Sequence, residues 1–368
     1  IGISKLFYPT GTNASLYYQN KRYAGSNFKI ESYGATFAQD LIQNSFGKNN
    51  RLKLANTDLQ KEIIKLQSVE AVEDYIASLH QIYYNWAEAY KRVQLERNIL
   101  NNIQLLQKEV DLKYKRRVAS NNDVKRIQLQ ELNQQGILIE AEKELKNEAN
   151  QISLLINDST SFSPVVRPLN FFNSESPTYN RSLYALKLTS QVTLNEESIS
   201  INELFPSIAL DTTIYNEKRT INNTSSESLF ITSGLNIELP ISNHSKDLSN
   251  KIAESNNRQS KFRLDSAIKS YNDQTYRLNQ TISSISDQYA LDMKKRKLSN
   301  DILTQDGEDY RRGSLPLNQY IESLNQSIQS QHLELSRLIQ YHKAHIEWLR
   351  LTDQLLIYTG PIPTYSGY

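Results

Sequence analysis

The sequence predicts a mainly α fold with β, internally duplicated, in which two long antiparallel coiled-coil hairpins are each preceded by a pair of strands. Three observations carry this. Apolar residues recur every 3.5 positions along stretches that hold no Pro and no Gly. Other stretches alternate between apolar and polar with a period of two. The same order of elements also occurs twice, at an offset near 197 (Tyr215 answers Tyr18).

Composition narrows the function classes. The chain has 368 residues with 42 basic and 40 acidic side chains, a net charge of +2, so the overall balance demands no polyanionic partner. With no Cys there are no disulfides, thiolate metal sites or cysteine nucleophiles, which suits an oxidising compartment such as the periplasm. No apolar run approaches the ~20 residues of a spanning helix, and Ile1 to Pro9 lacks the charged and apolar regions of a secretory signal. There is no Gly-rich phosphate loop, no Ser-His-Asp order with a nucleophile elbow and no His-Glu-x-x-His, so no catalytic residue, cofactor or metal site is expected. His342 and His345 stand three apart on one helix, but no third His or carboxylate lies three or four residues from either, and a seam pair is expected. Lys294-Lys295-Arg296-Lys297 is expected to be a solvated helix face, not a nucleic-acid patch.

In chain order, the first strands are expected at about 13–41, as Asn13 to Arg22 with Phe28 to Leu41. A helix follows at about 49–114, free of Pro and Gly and able to reach ~100 Å. Its seam is Val72, Ile76, Leu79, Tyr83, Trp86, Tyr90 and Val93. A shorter helix at about 122–157 carries Leu138, Ala141, Leu145, Ala149, Ile152 and Ile156 on one side. Residues 158–204 form a connecting segment, irregular at first and helical from Asn180 to Ile201. A second strand pair is expected at 207–239, as Ser207 to Arg219 and Leu229 to Leu239, with Asn222 to Ser226 as the polar loop. The second long helix, at about 246–305, carries Leu264, Ile268, Tyr271, Thr275, Leu278, Ile282, Ile285 and Tyr289. Its companion, at about 317–358, carries Leu335, Ile339, Ile346, Leu349 and Leu356, and 359–368 is a tail. Residues 1–157 and 205–358 are thus two structural repeats.

Four strands separated by such long helices cannot bury both faces within one chain, and an isolated hairpin is marginal in water. Strands from several copies joined in one closed barrel would remove the unpaired edges, as lipid requires. Tyr17, Tyr18, Tyr23, Phe28, Tyr33, Phe37, Tyr215 and Phe230 are then candidates for interfacial aromatic girdles. A soluble coiled-coil scaffold is the alternative, with the strands as loops.

The duplicated order, together with local motifs, resembles the TolC-like family of outer-membrane efflux proteins over essentially the whole chain. Phe205-Pro206-Ser207 is similar to the family's proline-marked start of a strand. Gly234 to Ile241 is similar to its alternating strand ending in Leu-Pro-Ile. Tyr310-Arg311-Arg312-Gly313-Ser314-Leu315-Pro316-Leu317-Asn318-Gln319-Tyr320 resembles its hairpin-tip turn, and in the first half Arg117 takes the Gly place, followed by Ser120, Asp123 and Val124. The resemblance implies a homotrimer with four strands per protomer in one transmembrane barrel and a periplasmic helical tunnel. It implies an exit duct in the outer membrane of a Gram-negative bacterium, fed by a periplasmic adaptor and an inner-membrane transporter, with no enzyme activity. The family ordinarily places a helical pair before the first strand; here the first strand is expected near residue 10, with that pair absent, trimmed or outside the numbering.

By motif, the resemblance also implies site residues. Tyr310 and Asp123 are the candidate gate link, and Gln319 and Glu322 take the places of constriction-lining carboxylates, Gln319 departing from the acid. Arg117, Ser120, Gly313 and Pro316 form the candidate adaptor-docking tip. Asp123 has a structural explanation too, as a first-turn acid with Asn122 or Ser120 as helix cap.

Overall fold

The computed structural model describes residues 1–23, 27–156, 163–166, 180–222, 224–239 and 244–359. Most of the irregular part of the connecting segment, Pro240-Ile241 and residues 360–368 lie outside them. The elements are β1 (Gly2–Phe7), β2 (Thr12–Arg22), β3 (Phe28–Asp40), α1 (Lys48–Lys115), α2 (Asn121–Ile156), α3 (Arg181–Glu203), β4 (Ser207–Ile221), β5 (Thr224–Glu238), α4 (His244–Arg312), α5 (Leu317–Leu351) and α6 (Leu355–Thr359). The residues group into two compact units, Ile1–Glu70 with Arg181–Ser270, and Ala71–Asn180 with Tyr271–Tyr368.

The first unit holds one antiparallel sheet in the order β1-β2-β3-β4-β5. Four strands were expected, and among the described residues five are present. The first begins at Gly2, not near residue 10. β1 escapes a pattern search because all six of its residues stay exposed, so no buried face imposes alternation on it. The expected loop is shorter too, since Thr224, Ser225 and Ser226 belong to β5 and Asn222 turns the chain at φ 46°.

Helices α1 and α3 pack antiparallel in this unit through a seam that mixes apolar and amide residues. Ala185, Val192 and Ile199, each seven apart, are buried along α3. Between them Asn195 donates to Asn56 Oδ1 (2.7 Å) and Asn202 to Asn49 Oδ1 (2.6 Å), all four side chains buried. The two amide pairs are seven residues apart on both helices, so they fit only one antiparallel register.

In the second unit α1 continues its seam as Val93, Glu96, Ile99, Ile103, Leu106 and Val110, all buried. Ile99, Ile103, Leu106 and Val110 meet Ile127, Tyr310, Leu317 and Leu324 in one cluster. Val72, expected in this seam, is exposed, and the neighbouring Glu73 is buried instead. Its carboxylate accepts the backbone N–H of Leu355 (2.9 Å) at the start of α6. There the expected continuous helix to 358 breaks. Asp353 adopts φ 59°, and the Thr352 hydroxyl donates to the Trp348 carbonyl (2.7 Å).

Helix α4 runs to Arg312, past the expected end near 305. Gly307 stays helical with the Tyr320 ring laid over it: an added Cβ would stand 3.2 Å from the phenol oxygen. The α4–α5 seam is largely polar. Ser299 bonds Ser330 (2.7 Å), Ser327 donates to Asn300 (2.6 Å), and Ser323 donates to Asp306. Such small residues let two helices approach closely while their polar groups stay paired.

Candidate functional site

Two places concentrate residues that folding alone does not explain: the sheet of the first unit and the hairpin turns of the second.

In the sheet, registers fix which residues share a face. One face carries Leu16, Ala35, Ile214 and Ile231 in one row and Tyr18, Tyr33, Asn216 and Leu229 in the next. Phe37, Leu210, Leu235 and Ile237 lie on this same apolar face. The other face carries Ser15, Thr36, Thr213 and Thr232, where Thr36 and Thr213 share a hydrogen bond (3.0 Å), and below them Asn13, Ala38, Asp211 and Gly234. Its aromatic row is Tyr17, Gly34, Tyr215 and Phe230, with Tyr215 and Phe230 stacked at 5.1 Å. The girdle candidates therefore divide. Tyr18, Tyr33 and Phe37 lie on the apolar face; Tyr17, Phe28, Tyr215 and Phe230 lie on the polar one; Tyr23 lies just past β2 and stacks on Phe28 at 5.2 Å.

Gly34 is there for close approach. A Cβ at that position would fall 2.5 Å from the Tyr215 Cβ and 2.7 Å from the Ile214 carbonyl oxygen. Gly234 of β5 has nothing within 4 Å of such a Cβ.

The two hairpin turns share one geometry. Arg117 (φ 61°) and Gly313 (φ 82°) both sit in the left-handed region just past a helix end. After α1, Arg117 N–H donates to the Tyr114 carbonyl (2.8 Å) and Val118 N–H to the Lys113 carbonyl (2.9 Å). After α4, Gly313 N–H donates to Tyr310 (3.1 Å) and Ser314 N–H to Asp309 (3.0 Å). This is the Schellman closure, usually built on Gly. Ser120 and Pro316 then open the next helices. Ser120 and Asp123 form a reciprocal capping box: Ser120 N–H donates to Asp123 Oδ2 (2.9 Å), and Asp123 N–H donates to Ser120 Oγ (3.1 Å). Pro316 caps α5 with extended backbone, φ −74° and ψ 151°.

Within one chain Asp123 thus serves the α2 cap, and Tyr310 is engaged elsewhere. Its ring is 5% exposed and stacks on Tyr320 at 5.6 Å. Lys113 Nζ lies 3.6 Å from the ring centroid and donates to the Tyr310 carbonyl. Burial, with Glu109, Asp123 and Tyr320 adding to it, pushes the Tyr310 phenol up to about 12, so it stays protonated. Gln319 and Glu322 are exposed three residues apart on α5, and neither side chain has a hydrogen bond or ion pair among the described residues. Lys113, the cation beneath Tyr310, was not singled out from sequence; it differs from other helix-end lysines only through its neighbours in space.

Of the other sequence candidates, His342 is buried and stacks on Tyr84 at 5.0 Å, and His345 lies beside Tyr341. In the basic run, Lys295 pairs with Asp292 (3.7 Å) and Arg296 with Glu334 (2.5 Å) on an exposed helix face. Among the described residues no helix is long and apolar enough to cross a membrane.

The fold these elements build is that of TolC-like outer-membrane channels. VceC, the outer membrane protein of Vibrio cholerae, matches with a TM-score of 0.74 at 11% identity, over 94% of this chain and 87% of that one. The Campylobacter jejuni CmeC outer membrane channel matches with a TM-score of 0.71 at 12% identity, over 97% and 78%. The open state of the Neisseria gonorrhoeae MtrE outer membrane channel matches with 0.66 at 16% identity, over 94% and 80%. No family model and no curated protein matches the sequence.

Proposed function

We propose that this chain is one protomer of a homotrimeric outer-membrane exit duct. The two-faced sheet carries the proposal. β2, β3, β4 and β5 have 11, 13, 15 and 15 residues, each at or above the 9–11 that a tilted strand needs to span a bilayer. β1, with six, is too short. One face offers lipid a largely apolar surface and the other offers a lumen hydroxyls, amides and charges. The outer edge of β5 has no partner among the described residues, and in lipid such an edge must be closed. Four spanning strands from each of three copies give a twelve-stranded barrel.

Exposed apolar residues at heptad spacing support packing between copies. Leu105 and Leu112 on α1, Leu129, Leu132 and Ile139 on α2, and Leu291, Leu298 and Ile302 on α4 are exposed among the described residues. The helices then form a periplasmic tunnel, with residues 158–204 beside it and the repeats 1–157 and 205–358 related by duplication. An adaptor would dock at the tip around Arg117, Ser120, Gly313 and Pro316, linking the duct to an inner-membrane transporter, and substrates would pass without covalent chemistry. Glu322, unpartnered in one chain, would line the constriction as a ring of three beside Gln319 and favour cations. The Asp123–Tyr310 link would form between or within copies only when the tunnel closes. The first test is the mass of the detergent-purified protein: three times 42.4 kDa supports the proposal, and a water-soluble single chain overturns it.

A further inference from the structure

We infer that β1 occupies, within one copy, the place that β5 of a second copy takes on assembly, with Gly234 of the incoming strand opposite Tyr17. The inference rests on the barrel proposal and specifies its inter-copy register. Three observations converge on it.

The first is the contact inside the sheet. Gly34 lies opposite Tyr215, and the missing Cβ is what lets the two strands close at that point. The second is β1. It sets Gly2 opposite Tyr17, where a Cβ on Gly2 would stand 3.2 Å from the Leu16 carbonyl oxygen and 3.7 Å from the Tyr17 Cβ. Tyr17 and Tyr215 lie in the same row of the same face, with Gly34 of β3 between them and Gly2 of β1 on the outer side of Tyr17. The third is Gly234. It lies on that face too, on the open edge of β5, with nothing near its Cβ position.

Strand directions agree. β5 is antiparallel to β4, so after β2, β3, β4 and β5 alternate, the next β2 meets β5 antiparallel, as β1 now meets β2. Setting Gly234 opposite Tyr17 places Leu235 opposite Leu16 and Asn236 opposite Ser15. β1 already places Ile3 and Ser4 at those two positions. Gly2-Ile3-Ser4 therefore imitates Gly234-Leu235-Asn236 in size and polarity. β1 and Ile1 cover β2 from Thr12 to Tyr18, which leaves Gln19 to Arg22 open for an arriving strand to pair first. At this register Leu229 to Glu238 would face Asn13 to Arg22, a longer pairing than the six residues of β1 provide, so exchange gains backbone hydrogen bonds.

The chain has no cysteine, so introduced pairs report contacts without interference. Ser15→Cys with Asn236→Cys should oxidise to covalent dimers and trimers in the detergent-purified assembly. Ser15→Cys with Glu238→Cys keeps the face but slips the register by two residues, about 6 to 7 Å, and should link at least about tenfold less, being outside disulfide reach. Ser4→Cys with Ser15→Cys ties β1 to β2 within one copy; oxidised before assembly it should abolish the trimer, and reduction should restore it. Better linkage of the slipped pair overturns the register. A locked chain that still assembles and conducts overturns the exchange of strands. The cysteine-free protein is followed in parallel: if it is itself monomeric and non-conducting, the duct proposal fails as a whole, whereas a conducting trimer with no Ser15–Asn236 link refutes this inference alone.

Discussion

Arg117 holds a left-handed backbone that costs a non-glycine residue roughly 1–2 kcal/mol. Gly313 occupies the equivalent turn without that cost. Replacing Arg117 by Gly should therefore raise stability by about 1 kcal/mol, less what Gly loses in unfolded-chain entropy; a lowered melting temperature in detergent would contradict this. Titratable residues in the helical seams give a pH dependence. Burial holds His80, His332 and His345 below their ordinary value, for His332 against the opposing pull of Glu96 3.2 Å away. Their unfolded counterparts take up protons first as pH falls through about 6.5, so the folded state loses stability below that pH and gains none from these groups above it. Denaturation at pH 7.5 and 5.5 should show the loss, and His332→Gln should shrink it. At this scale the sequence disclosed little beyond types. The Gly313 turn and the Ser120 cap were legible because they use local chemistry. Lys113 beneath Tyr310, Glu96 beside His332 and the demand for Gly at position 34 arise from partners distant in the chain, Tyr310, His332 and Tyr215, which no local pattern records.

Among the elements, the long helices were the most legible, because a 3.5-residue apolar period without Pro or Gly leaves few alternatives. Their ends were less so: α4 runs on through Gly307, which a tyrosine ring covers, to Arg312, and Asp353 broke α5 with no Pro or Gly to announce the break. β1 was missed because a wholly exposed edge strand carries no alternation. The α1–α3 amide pairs also escaped a search for apolar stripes. Asn56→Ala should cost about 1–3 kcal/mol by leaving the Asn195 amide buried without its partner. The Asn56→Leu, Asn195→Leu double variant should recover most of it, and a thermal-melt double-mutant cycle that finds the two effects additive would deny the pair. The two sheet faces make a sharper contrast. Ile214→Arg puts a charge on the apolar face and should cost about 2–4 kcal/mol near mid-membrane, seen as lost assembly. Thr213→Arg, one residue away on the polar face, should assemble and change conductance.

For the whole molecule, the order of strands and helices read from the sequence led to the channel fold, which the solved outer-membrane channels share with this chain at 11–16% identity. Among the described residues the β5 edge has no paired strand, apolar residues at heptad spacing are exposed, and the side chains of Glu322 and Gln319 have no partner, which fits packing of several copies. The most direct measurement is single-channel current from the detergent-purified protein in a planar bilayer, comparing the native sequence with Glu322→Ala. Small cation-selective steps whose selectivity falls in the variant are the predicted result. A protein that never inserts, or inserts with no current, would contradict the account of it as a channel.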